Sequence, residues 1–160
     1  DDIYKGKNNR AGEFGHMTVK AGGRQCRCGR YGCWETYASD KALLDSYNDV
    51  ANEKTYSLEE FFSVLQRGDG LALKVWDEYL NYLAIGIQNI ILVIDPHYIV
   101  VGGKIAQYEE LFINQLKEKV FITNSFYNTE DIKIIVSKLR ENSSILGASL
   151  LPLQKLFHIL

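Results

Sequence analysis

The sequence predicts an α/β fold with at least part of its sheet parallel. Two β-branched runs, His97-Tyr98-Ile99-Val100-Val101 and Ile132-Lys133-Ile134-Ile135-Val136, flank a segment with helical periodicity, and that alternation is what a parallel pairing requires. The chain has 160 residues, 46% apolar and 24% charged, which is enough to bury one sizeable core. No internal repeat or low-complexity linker divides it, so residues 1–160 read as a single domain or lobe.

The opening Asp1-Asp2-Ile3-Tyr4-Lys5-Gly6 reads as a strand end running into a loop, as in a piece cut from a longer chain. A cysteine-rich loop follows, so that residues 11–39 form the first region. A helix is predicted from Trp34 through Tyr37, Ala42, Leu43 and Tyr47, interrupted or capped at Ser39-Asp40. Residues 48–57 read as a polar loop. Ser57 then caps a helix over Leu58, Phe61, Phe62 and Leu65, with Glu60 at the reciprocal capping position and a stop at Arg67-Gly68. A long helix starts near Asp69. Its stripe of Leu73, Trp76, Leu80, Leu83, Ile87 and Ile91 widens towards Pro96, which predicts burial on most sides and completes a helical region over 40–94.

In the third region, 97–160, the run ending at Val101 predicts a buried strand that stops at Gly102-Gly103. A helix is patterned over 106–120 on Leu111, Phe112, Leu116 and Val120. After the second strand, Ser143 or Ser144 opens the last helix, with Ile145, Leu146, Ala148, Leu150 and Leu151. Asp95-Pro96 is a turn, and His97 and His158 are structural.

A net charge of −2 offers no broad basic surface for a phosphate backbone. The longest apolar run, over 85–94, is broken by Gly86, Gln88 and Asn89 and is too short to span a bilayer. No signal peptide opens the chain. All three cysteines lie within eight residues, a spacing unsuited to a disulfide framework and suited to metal in a reducing compartment, so a cytoplasmic home is expected. There the acceptor pattern Asn142-Ser143-Ser144 is a chance match.

His16, Cys26, Cys28 and Cys33 are one imidazole and three thiols, the full tetrahedral shell of a structural zinc ion with no position left for water or substrate. Because the bound forms are thiolate and neutral imidazole, the site weakens as pH falls. A metal-bound imidazole keeps one free nitrogen. Glu13 and Glu35, both acceptor-only when ionised, suit vicinal hydroxyls around it; equally, Glu35 suits a helix first turn and Glu13 a solvated loop. Gly102-Gly103 brings backbone amides to a strand–helix junction, where a phosphate can sit, but such a turn needs glycine for conformation alone.

The runs Ala11-Gly12-Glu13-Phe14-Gly15-His16-Met17 and Cys26-Arg27-Cys28-Gly29-Arg30-Tyr31-Gly32-Cys33-Trp34-Glu35, with Tyr37-Ala38-Ser39, resemble the signature of the ROK family of bacterial repressors and sugar kinases. The resemblance continues through Asp95-Pro96, Ile99 to Gly103, and Ser144 to Ala148. It implies the C-terminal lobe of an actin-like, ribonuclease-H-like sugar kinase fold with a zinc knuckle. It also implies zinc on His16, Cys26, Cys28 and Cys33, and sugar hydroxyls on Glu13, His16 and Glu35. Gly102-Gly103 matches the nucleotide-facing turn, although Lys104 stands where family kinases commonly carry a third glycine. Those kinases need an aspartate base and a phosphate loop upstream, and Asp95 is no substitute, so no catalytic residue is expected here.

Phe14 and the run Cys33-Trp34-Glu35-Thr36-Tyr37-Ala38-Ser39 resemble the xylose-type repressors more than the glucokinases. The expected function is therefore the sugar-binding effector lobe of a carbohydrate-responsive transcriptional repressor. Its partners would be a monosaccharide, a second copy of the protein, and operator DNA through a helix-turn-helix outside this segment. The alternative is an ATP- and magnesium-dependent sugar kinase of the glucokinase type; a third reading is a zinc-stabilised interaction domain without a pocket.

Overall fold

A computed structural model of the chain describes residues 3–122 and 127–157. Its elements are α1 (Glu35–Ala38), α2 (Asp40–Val50), α3 (Leu58–Gln66), α4 (Gly70–Ile94), β1 (Tyr98–Val101), α5 (Glu109–Val120), β2 (Lys133–Val136) and α6 (Ser143–Phe157). Short 3-10 turns occur at Phe14–His16, Lys104–Tyr108 and Arg140–Asn142. The predicted initial strand is not formed over residues 3–5; Asp1, Asp2 and His158 lie outside the described residues.

Three helices begin where a side chain satisfies a free amide. Ser39 Oγ accepts from the Ala42 amide at 3.2 Å, Ser57 Oγ from Glu60 at 3.2 Å, and Asp69 Oδ1 from Ala72 at 2.8 Å. The Glu60 carboxylate reaches back to the Tyr56 amide at 2.6 Å, one residue before its expected partner. Helix α2 runs to Val50, into the stretch predicted as loop, because the buried Leu43 and Tyr47 hold its last turns on the core. The loop that follows closes on Asn48, whose amide group pairs with both the N–H and the carbonyl of Thr55. Helix α4 ends at Asp95, which takes a left-handed conformation (φ 49°) ahead of Pro96 and donates its amide to Ile91 at 2.8 Å.

Strands β1 and β2 pair in parallel, Tyr98 opposite Lys133 through Val101 opposite Val136, with α5 in the crossover. The predicted helix over 106–120 starts as a 3-10 turn, because Tyr108 leaves the helical conformation to stack on Phe62 at 4.0 Å. Helix α6 continues past Leu151 through Pro152 to Phe157.

The core gathers around α4, which packs on α1, α2, α3 and α5. Phe61, Phe62, Leu80, Phe112 and Leu116 are sealed from solvent. Phe62 also meets Trp76 edge-on at 5.1 Å, the geometry ring quadrupoles favour. Burying each such side chain stabilises the fold by about 1.5–3 kcal/mol.

Two expectations, a buried strand at β1 and burial of α4 on most sides, hold only in part. In β1, Ile99 and Val101 pack on the core, but Tyr98 and Val100 are 57% and 58% exposed, because the helical layer lies on one face of the sheet among the described residues. In α4, Trp76, Leu80, Leu83, Ile87 and Ile91 of the predicted stripe are buried, but Leu73 in the first turn is exposed, as are Leu92 and Val93 at the end. The last apolar turn of α4, the outer sheet face and the α6 residues Ile145, Leu150 and Leu156 thus leave apolar surface uncovered.

One ion pair ties α5 to α4. Lys119 Nζ lies 2.6 Å from Asp77 Oδ1 and 2.7 Å from Asn81 Oδ1, and this hydrogen bond holds the Asp77 carboxyl below the usual carboxylate range. A depressed folded pKa stabilises above the unfolded value of about 3.9 and the benefit is lost as pH falls through the folded value. Asp77→Asn is therefore expected to flatten the acid limb of a stability–pH curve below about pH 4, by well under 1 kcal/mol because Asp77 is mostly exposed. Matching curves for the variant and the parent would remove the pair from the account.

Candidate metal centre

The segment ahead of α1 is built from turns rather than regular elements. Antiparallel bridges join Gln25 to Tyr31 and Thr18 to Cys33, and the Cys26 amide donates to the Arg30 carbonyl at 2.8 Å. Gly32 makes the fold of this loop possible. Its φ is 78°, and a Cβ there would lie 1.7 Å from the Lys20 carbonyl oxygen, so any other residue would break the loop.

The loop brings the donor atoms of His16, Cys26, Cys28 and Cys33 within 4.8 Å of one another. Cys28 Sγ lies 3.6 Å from Cys33 Sγ, and Cys26 Sγ lies 3.6 Å from His16 Nδ1. Tetrahedral zinc with Zn–S of about 2.3 Å sets its sulfurs about 3.8 Å apart, so donor set and spacing both fit a closed metal site. Cys26 and Cys33 are buried, whereas Cys28 is exposed, and no two of the three are joined in a disulfide. Among the metal-free thiols, the Cys28 amide pulls the Cys26 pKa down, but burial, Glu35 and the neighbouring thiols outweigh it and push it up to about 12. The amide and guanidinium of Arg30 favour the Cys28 thiolate and bring its pKa down to about 6.

The imidazole turns Nδ1 towards Cys26 Sγ and Nε2 towards Glu13. Glu13 Oε2 lies 3.9 Å from Nε2, and Glu35 Oε1 lies 3.6 Å from Nδ1 and 3.1 Å from Cys26 Sγ. The sequence-predicted trio of Glu13, His16 and Glu35 is thus gathered at one edge of the cluster, with Glu13 largely in solvent and Glu35 mostly covered. Gly15 lies beside Glu35, where a Cβ would make only an ordinary contact at 3.6 Å with Glu35 Cβ. Gly102 and Gly103 lie elsewhere, at the C-terminal end of β1. The Gly103 amide is donated to the Arg140 carbonyl at 3.3 Å, and a Cβ on Gly102 would touch Ser143 Oγ at 3.1 Å.

Several residues that fix this geometry carry no local signal. Trp34 Nε1 donates to the Tyr82 carbonyl at 2.7 Å, and its ring lies flat enough on α4 that a Cβ on Gly86 would come within 1.9 Å of it. Arg24 spans the knuckle and α2, donating to the Thr36 carbonyl at 2.8 Å and Ser46 Oγ at 2.9 Å, with its guanidinium 4.9 Å from the Tyr37 ring centre. Arg30 donates to the His16 carbonyl at 2.6 Å, and Arg27 Nε lies 3.5 Å from Glu35 Oε1. The positions of arginines among the cysteines are visible in the sequence; their partners are not.

Comparison with known proteins gives a consistent picture. The sequence model of the ROK family matches residues 1–155. The xylose repressor of Bacillus subtilis is 31% identical over 147 residues, covering 92% of this chain and 38% of that protein. The glucokinase of Thermotoga maritima is 30% identical over 162 residues, covering 92% of this chain and 50% of that protein. Among solved structures, a ROK family transcriptional regulator homologous to the Escherichia coli MLC protein superposes with a TM-score of 0.75 at 27% identity, covering 92% of this chain and 40% of that one. The chain therefore spans between about two fifths and half of the relatives it matches.

Proposed function

The chain belongs to the ROK family, and on that premise we propose that it is the sugar-binding effector lobe, the C-terminal part of an actin-like fold, of a carbohydrate-responsive transcriptional repressor. The observation that carries this reading is the orientation of His16: Nδ1 turned to the thiols, Nε2 turned to the carboxylate of Glu13, and Glu35 on the flank. A zinc ion held by His16, Cys26, Cys28 and Cys33 would lock the ring, leaving Nε2 with Glu13 and Glu35 for adjacent hydroxyls of a monosaccharide. Metal binding also removes the Cys26 thiol proton that faces Glu35 Oε1. That frees lone pairs of Glu35 for the sugar and couples the two sites. Operator DNA would be held by a helix-turn-helix outside this segment, in a cytoplasmic homo-oligomer; no described helix is long and apolar enough to cross a membrane. By binding one arrangement better, the sugar would shift the population away from the DNA-competent state.

The kinase reading is supported by the likeness to the T. maritima glucokinase. Against it, the Gly103 amide is engaged by Arg140, and Lys104 follows the glycine pair, so this turn is poorly prepared for ATP. Metal analysis together with calorimetric titration of a sugar panel, with and without ATP and magnesium, separates the two. Zinc with sugar binding and no turnover is expected; sugar-dependent ADP release would make this a kinase, and neither binding nor turnover would leave a structural knuckle.

Glu35→Gln is expected to weaken sugar binding by about tenfold or more, the worth of a charge-assisted hydrogen bond, while zinc stays bound. Equal loss of zinc in the variant would assign Glu35 to holding the knuckle instead.

A further inference from the structure

We infer that Cys28 is an oxidant-sensitive modification site, and that peroxide converts Cys28 and Cys33 into a disulfide that dismantles the metal centre. The inference rests on the metal reading of the cluster and adds a chemistry to it. Its first observation is the asymmetry of exposure: Cys28 is open to solvent, whereas Cys33 is 0% and Cys26 is 3% exposed. A small oxidant therefore reaches Cys28 before the other two residues. The second is the choice of partner. Cys33 Sγ lies 3.6 Å from Cys28 Sγ, within a short sulfur displacement of a bond, while the Cys26 thiol points to Glu35 Oε1 at 3.1 Å. The third is the intervening turn, where Gly29 (φ 87°) and Gly32 (φ 78°) flank Arg30-Tyr31 and already hold the two sulfurs side by side, so the bond needs little backbone movement.

The electrons balance with hydrogen peroxide as oxidant. The Cys28 sulfur attacks one peroxide oxygen, the O–O bond breaks, and Cys28 becomes a sulfenic acid as hydroxide leaves. Cys33 then attacks the Cys28 sulfur, the S–S bond forms, the S–O bond breaks, and a second hydroxide leaves. Two thiolates lose two electrons and one peroxide is reduced to two hydroxides, which take two protons from solvent. Only His16 and Cys26 would then be left to hold an ion, so a bound ion would be released and with it the orientation of His16 and Glu35. A dithiol reductant and zinc restore the site.

The test starts from the reduced, metal-loaded protein. Metal content is measured first, then dilute hydrogen peroxide is added while released zinc is followed with a chromogenic chelator, and tryptic peptides are mapped. Trypsin cuts after Arg27, Arg30 and Lys41, so the disulfide would join peptide 28–30 to peptide 31–41. Zinc release in step with that linked pair, reversed by dithiothreitol and zinc, is the expected result. Oxidation of Cys28 to sulfinate with no linked pair, a pair involving Cys26, or zinc retained after oxidation each overturns it. Protein that carries no metal before oxidation fails the metal reading instead, a distinct outcome. Because Cys28→Ser can lose metal by itself, a second measurement uses the unaltered protein: iodoacetamide is expected to label Cys28 at least about tenfold faster than Cys26 or Cys33. Equal labelling of the three sulfurs removes the basis of the inference.

Discussion

Cys33→Ala is expected to abolish stoichiometric zinc and sugar binding together. The sulfur is fully buried and 3.6 Å from Cys28 Sγ, and the residue is also the structural hinge of the site. Its backbone pairs with Thr18, and its carbonyl accepts from both the amide (3.0 Å) and the hydroxyl (2.7 Å) of Thr36, which seats α1 and hence Glu35. Removing one of four ligands costs at least about 100-fold in metal affinity, beyond what loss of an outer-shell partner costs. In small zinc domains a structural ion contributes about 10–16 kcal/mol of coupled folding free energy, so its loss is expected to loosen the knuckle in spite of the hydrogen bonds of Arg24, Arg30 and Trp34. Cys28→Ala separates the causes. It deletes an exposed ligand and leaves no buried hole, so parallel loss of zinc and sugar in both variants assigns the effect to the metal. Sugar affinity that survives metal removal in either variant would sink the coupling between the ion and His16.

The parts of this molecule that could be read from the sequence are those whose causes are local. Ser39, Ser57 and Asp69 start helices because a capping oxygen and the amide it accepts are three residues apart, a distance visible in the chain. The gathering of His16, Cys26, Cys28 and Cys33 was legible for the same reason, since their types and spacing already point to one cluster, and the donor atoms lie within 4.8 Å of one another. The parallel pairing of β1 and β2 followed from alternation alone. What failed was burial. Tyr98 and Val100 carry the composition of a buried strand, and Leu92 and Val93 that of a buried helix, but apolar composition records what an element is able to cover and not whether a neighbour is present. The 3-10 turn before α5 was hidden because its cause is Tyr108 stacking on Phe62, 46 residues earlier. At the site, the placement of Glu35 depends on Trp34 and Arg24, whose partners Tyr82, Gly86 and Ser46 lie far along the chain.

The Trp34 contact gives the second large expectation, and its sign runs against helix propensity. Gly86 lies inside α4, where alanine would ordinarily stabilise by about 1 kcal/mol. Here the added methyl would fall 1.9 Å from Trp34 Cε2 and 2.3 Å from Trp34 Nε1, so the indole must move. Overpacking of this kind costs about 1–3 kcal/mol, and the 2.7 Å bond from Nε1 to the Tyr82 carbonyl, worth about 1 kcal/mol more, goes with it. Gly86→Ala is therefore expected to destabilise by about 1–3 kcal/mol net, a fall of several degrees in Tm for a chain of this length. Trp34 immediately precedes Glu35, so sugar affinity should fall further than zinc content, because the four candidate metal ligands lie outside α1 while Glu35 is its first residue. Replacing the indole by a smaller ring in the double variant Trp34→Phe, Gly86→Ala is expected to recover part of the loss, a coupling that a double-mutant cycle reads directly. A Tm that rises in Gly86→Ala would mean that the ring relaxes without cost and that Trp34 does not anchor the knuckle to α4.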